Sequence, residues 1–168
     1  MKASTRHPSA RVFERHPVVY LLALWFGVGR FPWGPGTAAT VAAAPLCFGL
    51  SLLGYGWVLL GALVLTLVGV RVSAIVARLT RDNDPKYVVI DEVAGIFLTY
   101  AFAPQDWKGL VVSVVLFRLF DITKPWPCRV IERKLPPGPG IMLDDTCAAL
   151  MAGGVLLVAR ALGLFRYL

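Results

Sequence analysis

The segment from Phe117 to Asp145, FRLFDITKPWPCRVIERKLPPGPGIMLDD, concentrates charged residues in an otherwise apolar region and is rich in proline and glycine. Charge in apolar surroundings is costly unless it is paired, bound to a metal or in contact with water. The aspartates of this segment and the cations near them are Asp121, Asp144, Asp145, Arg118, Lys124 and Arg129. Together with Asp91 and Glu92 upstream, the segment predicts a cation-dependent phosphate site at a membrane surface.

The composition of the chain is typical of a membrane protein. Its 168 residues favour a single domain. The chain is 57% hydrophobic and 16% charged, whereas soluble domains carry about 25% charged residues. No charged side chain occurs from Phe31 to Val70, a length that suits two membrane spans of about 20 residues each.

The alternation of apolar segments and turns predicts an all-α protein, a compact helical bundle integrated in a membrane with about four to five apolar helices. A short stretch before them, 18–29, is predicted as an interfacial or re-entrant helix, and 71–86 as a solvated loop with at most a helical end. The predicted apolar helices cover 37–53, 58–72, 87–103, 109–121 and 145–164. Residues 1–17 are expected to form a basic cytoplasmic tail, followed by a single membrane domain over 18–168.

The distribution of positive charge predicts how the chain lies in the membrane. Basic residues concentrate in the tail, at Arg30, and in 71–86 and 118–134. The positive-inside rule places these regions on the cytoplasmic side. This predicts five crossings, with the amino terminus inside and the carboxyl terminus outside. Counting hairpins then brings the GPGT loop (34–37) and the acidic groups to the same cytoplasmic end.

The net charge of +7 favours anionic lipid headgroups as partners. Nucleic acid, the other usual partner of a basic chain, is not expected, because the basic residues are spread through loops between apolar segments. The three cysteines include no CxxC pair, so neither a disulfide framework nor a zinc site is predicted. The sequence does not indicate an oligomeric state.

Half of the ten acidic residues lie at the boundaries of apolar segments on one predicted face of the bundle. Clustered carboxylates repel one another unless a cation joins them. Hard oxygen ligands favour Mg²⁺, which takes one or two carboxylates together with water and substrate phosphate. Alternatively, these acids form structural ion pairs with nearby lysines and arginines. The five residues are Asp91, Glu92, Asp121, Asp144 and Asp145.

Several residues near these acids are candidates for binding phosphate. Arg118 and Asp121 are three residues apart and share a helix face, and Lys124 follows the helix end. Two cations beside a metal can neutralise phosphoryl oxygens in a transition state, although Arg118 alone could simply reach the lipid headgroups. Thr37, at a helix start, is a phosphate contact or a plain helix cap. Asp144 could likewise be only the N-cap of the last helix.

Common catalytic motifs are missing from the apolar body of the chain. Both histidines lie in the first 16 residues, and there is neither a Cys-x5-Arg loop nor a GxxxxGK loop. An enzyme with this sequence would therefore work with carboxylates, a metal and basic residues.

Four motifs, taken in order, resemble the phosphatidylglycerophosphatase A family. They are PGT (35–37), VVIDEVAG (88–95), FRLFDITKPWPCR (117–129) and GPGIMLDD (138–145). The resemblance implies a mainly helical membrane enzyme that removes the terminal phosphate of phosphatidylglycerophosphate to give phosphatidylglycerol and phosphate, with Mg²⁺. The expected location is the bacterial inner membrane, with the active site on the cytoplasmic side given by the positive-inside rule. The family's acidic and KPWP positions correspond to Asp91, Glu92, Asp121, Lys124, Pro125, Asp144 and Asp145. Two departures, Ala38-Ala39-Thr40 after PGT and Ala148-Ala149 after the paired aspartates, replace small residues by small residues.

The resulting hypothesis assigns the site residues to metal and phosphate. The metal ligands are Asp91, Glu92, Asp144 and Asp145, with Asp121 a further ligand or a base. The phosphate ligands are Arg118, Lys124, Arg129 and Thr37. Either water attacks phosphorus directly or an aspartate attacks first. The alternative function is a small membrane carrier or scaffold, which would be expected to hold its charges near the bilayer midplane rather than at the ends of spans.

Overall fold

The computed structural model describes residue 14 and residues 16–166. Within these ranges the chain is helical and contains no strand, which confirms the predicted all-α fold class. The predicted basic tail lies almost wholly outside the described residues, so it stays a prediction.

Seven α-helices make up the bundle in the described part of the chain. They are α1 (Pro17–Ala23), α2 (Pro35–Ser51), α3 (Tyr55–Thr80), α4 (Ile90–Tyr100), α5 (Trp107–Thr123), α6 (Cys128–Lys134) and α7 (Pro139–Ala161). Short 3-10 helices cover Val28–Arg30 and Leu164–Arg166. The short apolar stretch 18–29 thus forms a brief helix and a turn, which is consistent with its being too short to span a membrane.

Helix α4 is the centre of the bundle. It packs against α2, α3, α5 and α7, and only Asp91, Glu92 and Leu98 among its 11 residues are partly exposed. A helix that is apolar on all sides is stable only when neighbours surround it. Because the two acids occupy its first turn, the same packing that buries α4 fixes them at one end of the bundle.

The structure shows that the predicted solvated loop over 71–86 is wrong in its first half. Helix α3 continues through Arg71 and Arg78 to Thr80. These two arginines are exposed, while Val72 and Val76, four residues apart, are buried. This spacing places the valines on one face of the helix, so the charges mark the solvated face of a helix rather than its end.

The start of the last helix was also predicted wrongly. Helix α7 begins at Pro139, after Gly138 as its N-cap, and proline is well suited to the first turn because it has no N–H to satisfy. Asp144 therefore lies inside the helix and is not its N-cap. Helix α6 occupies the region that was predicted as an irregular loop rich in proline and glycine.

Two of the described helices, α3 and α7, are long and apolar enough to cross a membrane, by length and composition. Helix α3 also exposes a row of large apolar residues, including Leu60, Leu63, Val64 and Leu67, which is a surface suited to lipid. Helices α2, α4 and α5 have 17, 11 and 17 residues. The structure supports membrane association, but it does not confirm the predicted number of five crossings.

Gly95→Ala is expected to lower the free energy of unfolding by about 1–3 kcal/mol. A Cβ at this position of α4 would lie 2.3 Å from the ring of Phe117, which is fully buried and has no room to move. Thermal unfolding of purified protein in detergent measures this loss. The control is Gly154→Ala on α7, whose Cβ would meet nothing within 4 Å. Equal unfolding temperatures for the two variants would contradict this packing.

Candidate active site

A cavity of about 950 Å³ opens at the end of the bundle where α4 begins and α5 ends. Its wall is unusually rich in ionisable side chains for a chain of this composition. The carboxylates are Asp84, Asp91, Glu92, Asp121, Glu132, Asp144 and Asp145, and the cations are Lys86, Arg118, Lys124, Arg129 and Arg133. The predicted convergence of the acidic groups is therefore found, with the loop 81–89 and helix α6 forming further parts of the wall.

Three carboxylates form a compact group, called here the tri-carboxylate cluster: Asp91, Glu92 and Asp145. One oxygen from each lies within 4.8 Å of the others. Asp91 and Glu92 come from the first turn of α4 and Asp145 comes from α7. Glu92 Oε2 and Asp145 Oδ2 are buried without a hydrogen-bond partner among the described residues. Buried carboxylate oxygens of this kind are costly, and a cation bound between them would relieve that cost.

Gly36 on α2 makes room for this cluster. A Cβ at this position would lie 1.9 Å from Glu92 Oε1 and 3.0 Å from Arg118 Nη1. The sequence motif PGT was interpreted as a helix start that binds phosphate, so the packing role of its glycine was missed. No signal in the sequence alone connects position 36 with position 92.

Arg118 lies beside the cluster and is held by two acids. It pairs with Asp121 three residues later on α5, and its Nη1 lies 3.7 Å from Glu92 Oε1. Its side chain is only 15% exposed, so the interpretation that it merely reaches toward lipid headgroups is wrong. Arg118 Nε is buried and has no hydrogen-bond partner in the described part of the chain. The two carboxylates therefore hold the guanidinium in place beside the tri-carboxylate cluster.

Lys124 connects α5 with the two helices that follow. It has left-handed backbone geometry, with φ of 41°, at the end of α5. Its Nζ lies 2.5 Å from Asp144 Oδ2 and 3.2 Å from Glu132 Oε1. Burial lowers the pKa of Lys124, but the hydrogen bond and charge of Asp144, with the charges of Asp145 and Glu132, more than offset it and raise the pKa above its ordinary value. Lys124 is thus a cation throughout the physiological pH range.

The other predicted site residues take different positions. Asp144 is buried and holds Lys124, and it is not one of the three residues of the tri-carboxylate cluster. Arg129 lines the cavity, and its Nη2 donates a hydrogen bond to the carbonyl of Thr123 at 3.2 Å. Thr37 is exposed, does not line the cavity and does not cap α2, whose N-cap is Gly34. Thr37 is therefore separate from the other candidates.

Four charged lining residues were not singled out from the sequence as site residues: Asp84, Lys86, Glu132 and Arg133. Arg129 and Arg133 are four residues apart and would share a face of a helix, but this signal is readable only if 128–134 is recognised as helical. The prolines on both sides of that region favoured a loop instead.

Comparison with known proteins agrees with this arrangement. The family model for Phosphatidylglycerophosphatase A matches residues 21–160. A protein named Phosphatidylglycerophosphatase A from Escherichia coli K12 is 33% identical over 138 residues, covering 82% of this chain and 80% of the relative. A protein of the same name from Haemophilus influenzae is 36% identical over 162 residues, covering 87% and 90%.

A third relative, from Bacteroides thetaiotaomicron, is named as a candidate phosphatidylinositol-3-phosphatase and is 32% identical over 148 residues, covering 83% of this chain and 92% of the relative. No solved structure matches the chain. The family match covers the cavity and every helix that contributes a charged residue to it. The chain belongs to the phosphatidylglycerophosphatase A family.

Proposed function

We propose that this protein is a Mg²⁺-dependent phosphatase that hydrolyses the terminal phosphomonoester of phosphatidylglycerophosphate to phosphatidylglycerol and phosphate. The observation that carries the proposal is the tri-carboxylate cluster beside Arg118 and Lys124 in one cavity. The family and the names of the Escherichia coli and Haemophilus influenzae relatives support the choice of substrate.

The residues of the cluster fit Mg²⁺. Asp91, Glu92 and Asp145 offer hard oxygen donors, and two of the three have a buried oxygen without a partner. The cavity wall has two more carboxylates than cations, a formal surplus equal to the charge of one divalent ion. When bound, Mg²⁺ would neutralise phosphoryl oxygens and orient the phosphate. Asp144 acts beside this group by holding Lys124.

The chain's own cations then bind and orient the phosphate group. Arg118 offers a guanidinium group that lines the cavity, and Lys124 offers a permanently charged ammonium group. Both are fixed by acids before substrate arrives, so little reorganisation is needed as charge shifts toward the transition state. Asp121 positions Arg118 and is the carboxylate beside the cluster that can accept a proton from an attacking water.

The proposed location is the bacterial inner membrane, with the cavity facing the cytoplasm and anionic lipids around it. Five cations line the cavity, whereas the first turn of α5 at the opposite end carries Trp107, with one cation, Lys108, over its ring. Tyr55 lies at that end too, beside Arg160. This difference between the two ends supports the proposed orientation, because the positive-inside rule places cation-rich regions in the cytoplasm and aromatic residues are enriched at membrane interfaces.

The decisive test is release of phosphate from phosphatidylglycerophosphate by purified protein in a non-ionic detergent. Release is expected with Mg²⁺, is expected to stop with EDTA, and should return when Mg²⁺ is restored in excess. Phosphatidic acid serves as a competing substrate, since it carries a phosphomonoester without the adjoining glycerol phosphodiester. Equal release from both lipids would point to a general lipid phosphatase. A well-folded protein without activity would favour the carrier or scaffold alternative.

A further inference from the structure

Two cations of the cavity wall have no assigned role in the proposed function. Lys86 belongs to the loop between α3 and α4, and Arg133 belongs to α6. Both are exposed at the cavity and form no ion pair with any described residue. The other three cations of the wall are already engaged, Arg118 and Lys124 by carboxylates and Arg129 by a backbone carbonyl.

Neither Lys86 nor Arg133 is neutralised by an ion pair with a described residue. Burial raises the pKa of Asp84, and the charges of Glu132 and Asp82 raise it further, while those of Lys124 and, to a smaller extent, Lys86 lower it. Lys86 is thus close enough to Asp84 to influence it without forming an ion pair. Glu132, the neighbour of Arg133 in sequence, is committed to Lys124 at 3.2 Å. Glu132 therefore leaves Arg133 without an ion-pair partner among the described residues.

A series of contacts links the tri-carboxylate cluster to the helix that carries Arg133. Asp145 is next to Asp144, Asp144 contacts Lys124, and Lys124 contacts Glu132. Arg133 follows Glu132 on α6. Arg133 is thus exposed in the part of the cavity wall that α6 forms, whereas Arg118 and Lys124 are partly buried.

We propose that Lys86 and Arg133 form a second anion subsite, which binds the phosphodiester of a lipid whose terminal phosphomonoester lies at the tri-carboxylate cluster. This inference rests on the proposed function and adds the residues that select its substrate. Phosphatidylglycerophosphate carries two phosphates joined by a glycerol unit, and phosphatidic acid carries one. Lys86 and Arg133 can therefore bind the second phosphate of phosphatidylglycerophosphate. Phosphatidic acid has no second phosphate for them to bind.

The kinetic test uses Lys86→Gln and Arg133→Gln in detergent micelles with Mg²⁺. Each change is expected to raise KM for phosphatidylglycerophosphate about fivefold, the effect of losing one solvent-exposed charged contact, while kcat is unchanged because the contact exists before and during the reaction. Hydrolysis of phosphatidic acid is expected to be unaffected. Arg78→Gln and Lys134→Gln are matched controls, because both side chains are exposed and neither lines the cavity. Equal effects on both lipids would overturn the inference.

A second measurement separates this inference from the proposed function. Phosphatidylglycerol retains the phosphodiester and lacks the monoester, so its binding in EDTA requires no catalysis. The wild type and both controls should bind it, and the two Gln variants should bind it about fivefold more weakly. Binding that is unchanged in the variants overturns the subsite whatever the activity. Weakened binding in the variants of a chain whose wild type releases no phosphate would support the subsite and overturn the proposed function.

Discussion

Asp145→Asn is expected to reduce turnover of phosphatidylglycerophosphate at least about 100-fold, the loss typical when a group that stabilises transition-state charge is removed. Asp145 is buried and contributes one of the three oxygen ligands of the tri-carboxylate cluster. An amide of the same shape keeps the packing but loses the negative charge that holds a divalent cation. The rate of phosphate release at saturating Mg²⁺ measures the effect.

Unfolding temperatures give a readout of the same substitution that does not depend on turnover. In EDTA the variant is expected to be at least as stable as the wild type, because one of several mutually repelling carboxylates is gone. Added Mg²⁺ should stabilise the wild type, by about 2.7 kcal/mol at 100 times the dissociation constant, and should not stabilise the variant. Asp82→Asn, in an exposed position outside the cavity wall, is the control and should behave as the wild type. Near-normal activity of Asp145→Asn would contradict the assignment of the cluster.

Gly36→Ala is expected to reduce activity about 100-fold or more, because a displacement of about 1 Å at a reacting centre is enough for such a loss. The new Cβ would lie 1.9 Å from Glu92 Oε1, so Glu92 must move, and Arg118, which lies 3.7 Å from the same oxygen, must move with it. The side chains of Arg118 and Glu92 are only 15% and 16% exposed, so neither can turn freely into solvent. Initial rates at several Mg²⁺ concentrations should show both a lower kcat and a smaller increase of the rate as Mg²⁺ is added.

Gly49→Ala provides a matched control on the same helix. Its Cβ would meet nothing within 4 Å, and alanine is a better helix former than glycine by up to about 1 kcal/mol. This variant should therefore be fully active and slightly more stable. If Gly36→Ala were as active as Gly49→Ala, the close approach of Glu92 to α2 would not be required for catalysis.

The position of the site was predictable because charge is rare in this chain. Asp91, Asp121 and Asp145 each follow or precede an apolar segment, and antiparallel segments bring alternate ends together. The same reasoning failed at 71–86, because Arg71 and Arg78 were taken to end a helix. In the structure they project from the exposed face of α3 while Val72 and Val76 continue its buried face. A sparse charge pattern distinguishes a loop from a helix poorly when exposed charges and buried residues follow one another within the same segment.

The detailed geometry of the site was less accessible from the sequence. One ion pair of Lys124 depends on α6, which was not predicted as a helix because prolines flank it. The other depends on Asp144 lying inside α7 rather than at its start. Pairing between Lys124, Glu132 and Asp144 is a tertiary contact of three elements. The division of the acids into three that form a cluster and one that holds a lysine therefore requires the folded chain.

The enclosure of α4 by its four neighbours has a consequence for how the protein tolerates different membranes. Asp91 and Glu92 are carried by a helix that is almost completely surrounded by protein, whereas α3 presents its apolar side chains outward. A thicker or thinner bilayer acts first on the helices that contact it, through tilt and local deformation. The positions of Asp91 and Glu92 therefore depend little on the thickness of the bilayer. The acyl chains can vary while the distances within the reacting centre stay the same.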